Sequence, residues 1–134
     1  MAAASLWSAG MRHHVDVRRE FWGNVFPSCR EGDINLVRPT QNVFIGWHRH
    51  QRQDDRLFLV NGVLRLRIFT NSPADGVEWI LVETPDRAAI VVPRNTWHGY
   101  EALTDDTVVM QFNSPGKWDG TDEERLDLEA MPWP

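Results

Sequence analysis

The chain has 134 residues, 14 basic against 19 acidic side chains, a net charge of −5, and 42% hydrophobic to 25% charged residues. This is the composition of one globular domain. It excludes a disordered chain and a basic duplex reader, and no apolar run approaches the roughly 20 residues of a bilayer span. Cys29, the single cysteine, leaves no internal disulfide, and residues 1–7 lack the pattern of a secretory leader. The expectation is a cytoplasmic protein with no nucleic-acid and no membrane partner.

Residues 1–20 read as a loosely patterned lead-in, with Met1 or Met11 as the start, and 21–134 as one domain. Short runs rich in Val, Ile, Phe and Trp predict strands near 34–37, 43–48, 56–60, 63–69, 77–83, 88–92, 97–101 and 107–112. Asn61-Gly62 between two runs predicts a two-residue hairpin turn. Residues 72–76 form a loop, and Thr84-Pro85-Asp86 and Pro93-Arg94-Asn95 are turns. Within 63–69, Leu64, Leu66 and Ile68 share one face and Arg65 and Arg67 the other. Only the tail reads as helical: Thr121-Asp122-Glu123-Glu124 fits a capping box, Leu126, Leu128 and Ala130 follow, and Pro132 ends it. The fold class is therefore all-β, a single-domain jelly-roll barrel with a short C-terminal helix.

Three of the five histidines fall in two turn-flanked segments. His48 and His50 share a strand face, roughly 6–7 Å apart along the chain. Asp55 is a carboxylate partner, and His98 arrives from another strand. The three histidines with Asp55 offer three nitrogens and one oxygen, a set suited to Zn, Fe, Mn or Ni. A histidine also serves unmodified as base beside a ketone, with His50, His98 or Arg67 for the enolate oxygen. Arg38, Arg49, Arg65 and Arg67 are candidate phosphate forks. Trp118 is a candidate pocket wall, as are Trp47, Trp79 and Trp97. The plain alternatives are a wet surface for Arg65 and Arg67, solvent for His13 and His14, and a small core filler for Cys29.

The spacing H-x-H-x4-D-x6-G, His48 to Gly62, followed by P-x-N-x2-H, Pro93 to His98, resembles the cupin superfamily. Asp55 stands where cupins place Glu, Asn95 where they place Gly, and Ala102 at the usual terminal Asn; Asn tolerates positive φ. Within cupins the chain resembles the dTDP-4-dehydrorhamnose 3,5-epimerase-like proteins from Val43 onward. The resemblance rests on Gly46-Trp47-His48, Ser72-Pro73 leading to Trp79, Pro93 to Tyr100, Leu103-Thr104-Asp105-Asp106 and Trp133-Pro134. It implies His48 as the base, His98 as an active-site histidine, and a thymidine-diphosphate sugar as substrate, with no cofactor. The related sugar ketoisomerases imply a role for His50. The family's lysine falls near Asp55 or Arg56 and its tyrosine acid near Gln111, which does not donate a proton in that sense; Asp127 lies one position from the family's carboxylate. Three readings follow: a sugar-nucleotide isomerase or epimerase, a metal-dependent cupin enzyme, and a non-catalytic binding cupin. A homodimer through edge strands, with residues 21–25 packing across it, is also expected.

Overall fold

The computed structural model describes residues 10–82, 89–118 and 121–126. The strands are β1 (Arg12–Val15), β2 (Arg19–Gly23), β3 (Asp33–Pro39), β4 (Ile45–His50), β5 (Asp54–Asn61), β6 (Val63–Phe69), β7 (Val77–Val82), β8 (Ile90–Val92), β9 (Trp97–Ala102), β10 (Val108–Ser114) and β11 (Glu123–Arg125). They form two antiparallel sheets, one in the order β1-β2-β3-β10-β5-β8 and one in the order β11-β4-β9-β6-β7. No helix among the described residues is long and apolar enough to cross a membrane.

The inward faces explain both the core and the hollow. Along β5 the inward residues are Leu59, Leu57 and Asp55; along β3 they are Val37, Asn35 and Asp33; along β10 they are Val109, Gln111 and Asn113. Register brings like to like: Val109 faces Val37 and Leu59, and Asn113 faces Asp33 and Asp55. One end of the barrel is thus apolar and the other polar. At the apolar end Ile45, Leu57, Leu64, Leu66 and Val109 pack at 1% exposure or less. Full burial of such a side chain is worth about 1.5–3 kcal/mol. A second cluster joins Trp47, Phe69 and Trp97.

The eight strands expected from residue 34 to 112 are present; residues 83 and 88, at the expected ends of 77–83 and 88–92, lie outside the described residues. Asn95 takes φ +63, as its turn requires. Three expectations change. First, Asn61-Gly62 is a tight turn but not a hairpin, because β5 and β6 belong to different sheets. Gly62 takes φ +87, and the Val63 amide donates to the Thr104 and Thr107 hydroxyls (3.3 and 3.4 Å). Second, residues 12–20 are not a loose lead-in. They supply β1 and the start of β2, and Phe21 and Trp22 pair within the chain to β1 and β3.

Third, the helix start at 121–124 is instead a bend and β11, which pairs with β4 as Glu123 to His50 and Arg125 to His48. The capping chemistry is used elsewhere. Asp122 Oδ1 accepts the amides of Gln51 (3.1 Å) and Arg52 (2.7 Å), and the Thr121 hydroxyl accepts Arg52 Nη2 (2.6 Å). Leu126 and Trp47 exchange backbone hydrogen bonds, each 3.1 Å. Thr84-Pro85-Asp86, Asp127, Leu128, Ala130, Pro132 and Trp133-Pro134 lie outside the described residues.

Candidate metal and substrate site

The polar end of the barrel holds a cavity of about 360 Å³. His48 on β4 and His98 on β9 are register partners, with ring centroids 6.1 Å apart; His50 lies 6.0 Å from His98. All three are buried, at 9%, 8% and 4% exposure, and Asp55 at 3%. One oxygen of Asp55 stands 2.5 Å from His98 Nε2 and 3.5 Å from His50 Nε2. Ligand atoms of His50, Asp55 and His98 all lie within 4.8 Å of one another.

The hydrogen bonding fixes what these rings offer. The Thr96 carbonyl can only accept, so His98 Nδ1 donates to it (3.1 Å). A neutral ring then turns the Nε2 lone pair toward a carboxylate oxygen, which also carries only lone pairs. A proton or a metal ion has to stand between them. His50 repeats the pattern: its Nδ1 faces Asp122 Oδ2 at 3.5 Å, and neither atom has a hydrogen-bond partner. With that proton on Nδ1, His50 Nε2 is free to ligate. Ligand histidines characteristically give their other nitrogen to a carboxylate or carbonyl. The second oxygen of Asp55 is buried without a partner. The residues present therefore fit a divalent transition metal.

The electrostatics divide the cluster. Burial, then the charges of His98, Arg125 and Arg19, push His48 down to about 3, so its imidazole is neutral. Burial also pushes His50 down, but the hydrogen bond and charge of Asp55 outweigh it and hold His50 above the usual value. Asp55 is pushed up by burial, yet the charge of His98 and the histidine hydrogen bonds hold it well below the carboxylate range. His48 Nε2 is 3.9 Å from Glu123 Oε1. Burial pushes the Tyr100 hydroxyl up to about 12, so it keeps its proton.

No protein-family model and no curated protein matches the chain. Solved structures do. The capsular polysaccharide assembling protein CapF from Staphylococcus aureus is 19% identical, with a TM-score of 0.73 over 92% of this chain and 34% of that one. Oxalate decarboxylase from Bacillus subtilis is 12% identical, with a TM-score of 0.72 over 88% and 30%. The Lactobacillus farciminis oxalate decarboxylase is 15% identical, with a TM-score of 0.69 over 91% and 36%. The chain has the cupin fold. It spans about a third of the length of those solved chains.

The cupin barrel brings together His48, His50, Asp55 and His98, and Trp118 joins the cavity wall. It does not bring Arg38, Arg49, Arg65 or Arg67 there. Arg65 and Arg67 lie opposite the buried Leu64 and Leu66. Arg65 pairs with Glu101 (2.7 Å) and Arg67 with Glu78 (3.0 Å). Arg49 pairs with Glu124 (2.5 Å) and covers the Trp97 ring, and Arg38 is exposed. The arginines that line the cavity are Arg12, Arg18, Arg19 and Arg125. Sequence reading missed them because it set the first three aside in a lead-in and the fourth in a helix. Tyr100, Gln111 and Glu123 also line it. Tyr100 was findable, since a two-residue step from His98 on one strand keeps the same face. His14 reaches the rim while 58% of its side chain is exposed.

Proposed function

We propose that this chain is a small metal-dependent cupin enzyme acting on an oxygen-rich small molecule. His50, Asp55 and His98 hold a divalent transition metal (Zn, Fe, Mn or Ni), and His48 faces it from the next β4 position of the same wall. The observation that carries this reading is the 2.5 Å approach of His98 Nε2 to Asp55, with Nδ1 of the same ring already committed to Thr96. When bound, such an ion polarises a carbonyl or carboxyl oxygen. The chain's own groups do the rest. His48, held neutral, accepts a proton at Nε2 and is backed by Glu123; Tyr100 donates a hydrogen bond from the cavity wall.

Elemental analysis of protein purified without added metal tests this. Near-stoichiometric metal is expected, falling below about a tenth in His50→Ala and Asp55→Asn. Wild-type protein that neither carries nor takes up Zn, Mn, Fe(II) or Ni overturns the reading.

A metal-free isomerisation of a thymidine-diphosphate ketosugar is the second reading. It is favoured by the neutral His48 on the cavity wall. A neighbour named a capsular polysaccharide assembling protein agrees with carbohydrate chemistry, and neighbours named oxalate decarboxylases agree with small-acid chemistry. Entry of solvent deuterium into such a ketosugar, with EDTA-treated protein, selects the second reading.

A further inference from the structure

Four arginines in one cavity would repel one another unless each had a counter-charge. Three do. Arg18 Nη2 lies 3.0 Å from Asp16, Arg125 Nη2 lies 2.8 Å from Glu123, and Arg12 Nη2 lies 3.8 Å from Asp33. Arg19 has no carboxylate partner among the described residues, and its Nε is buried without a hydrogen-bond acceptor. Its guanidinium rests over the Phe21 ring, 4.9 Å from the centroid. It stands beside the Tyr100 hydroxyl, which comes from the opposite sheet. Tyr100 is 2% exposed and lines the cavity; its hydroxyl oxygen can accept from the Arg19 side chain beside it, but the hydroxyl proton has no acceptor. A half-buried guanidinium with no counter-charge and a buried hydroxyl proton with no acceptor are both costly.

We infer that Arg19 and Tyr100 form a subsite for one carboxylate group of the substrate. This rests on the reading that the histidine cluster is the reacting centre. The charge count sets the class: one arginine lacks a counter-ion, which matches one carboxylate better than a phosphate dianion. The guanidinium fork matches the planar carboxylate, and the hydroxyl supplies a further donor. The distance sets the size. Tyr100 follows His98 by two residues on β9, a step of about 6–7 Å. The substrate is therefore a short dicarboxylate or oxo acid, one end at the histidine cluster and one carboxylate at Arg19.

Titration calorimetry with the full chain tests this, using succinate, its neutral analogue succinamide, and inorganic phosphate, with metal content measured on every sample. Succinate is expected to bind and succinamide not to. Arg19→Gln is expected to weaken succinate at least about tenfold and Tyr100→Phe about three- to tenfold, both with unchanged metal content. Succinate affinity within twofold of wild type in both variants overturns the subsite. Tighter binding of phosphate than of succinate overturns the carboxylate assignment. If Arg19→Gln does not fold, Tyr100→Phe, which removes a single oxygen, decides alone. Arg19-dependent succinate binding by a protein that holds no metal supports this subsite and sinks the metal reading.

Discussion

The burial of His48 gives the fold a specific acid sensitivity. Its ordinary value is 6.5, and the folded protein holds it at about 3. Between those values the unfolded chain carries a proton that the native state refuses, so stability falls as pH falls. Above 6.5 both states are neutral at this ring and the contribution is constant. At about 1.36 kcal/mol per unit, acidification from pH 7.5 to 5 removes about 2 kcal/mol through His48. For a domain of this size that lowers Tm by about 6–10 °C. His50 works in the opposite sense: its raised value favours the fold below 6.5, and this is lost as pH rises through the folded value. The net profile therefore mixes two signs, and the variant His48→Gln isolates one of them. We expect EDTA-treated wild type to lose about 2 kcal/mol more than His48→Gln between pH 7.5 and 5, by urea unfolding at each pH. Parallel losses in the two proteins would show that His48 is not held neutral.

Asp122→Asn keeps an oxygen for the Gln51 and Arg52 amides but turns an amide donor on His50 Nδ1. Metal affinity, measured by competition with a chelator, should fall about 10- to 100-fold, with the fold intact by circular dichroism. Arg65→Gln and Arg67→Gln act on outer-face pairs with Glu78 and Glu101. Each should cost under about 1 kcal/mol in urea unfolding, with metal content unchanged. At Asn95, φ +63 separates two substitutions. Asn95→Gly should stay within a few tenths of a kcal/mol, while Asn95→Val should cost about 1–3 kcal/mol in the same assay.

The eight strands between residues 34 and 112 were legible because apolar side chains alternate along them and Gly, Pro or Asn punctuate them. The remaining three were not, and the reason is where they lie. β1 reads Arg-His-His-Val and β2 reads Arg-Glu-Phe-Trp-Gly. Their cavity-facing residues include Arg12, His14 and Arg19, so the apolar alternation that marks a strand disappears. β11 failed differently. Asp and Thr cap helices and turns with the same oxygens, and here they close the β4–β5 turn. The histidine set was legible from its spacing. The arginine set was misread although the information was present: the alternation that sends Leu64 and Leu66 inward sends Arg65 and Arg67 out. Arg19 was hidden because nothing about a lone arginine in a weak strand shows that it lacks a partner.

The glycines beside the histidines link sequence to site. A Cβ on Gly46 would stand 2.8 Å from Gly99 Cα, and one on Gly99 would stand 2.9 Å from the Ile45 carbonyl oxygen and against the Phe44 ring. β4 and β9 therefore approach at this point only because both residues lack side chains. Two residues on from Gly46 is His48 and one before Gly99 is His98, register partners across that approach. On the outer side, Phe44 covers the gap and meets Trp47 edge to face at 4.9 Å. Gly46-Trp47-His48 and His98-Gly99-Tyr100 are thus a single packing unit. The glycines set the strand separation and the aromatics seal its back. The histidines and Tyr100 then stand at fixed distances on the front, where Asp55 and Arg19 meet them.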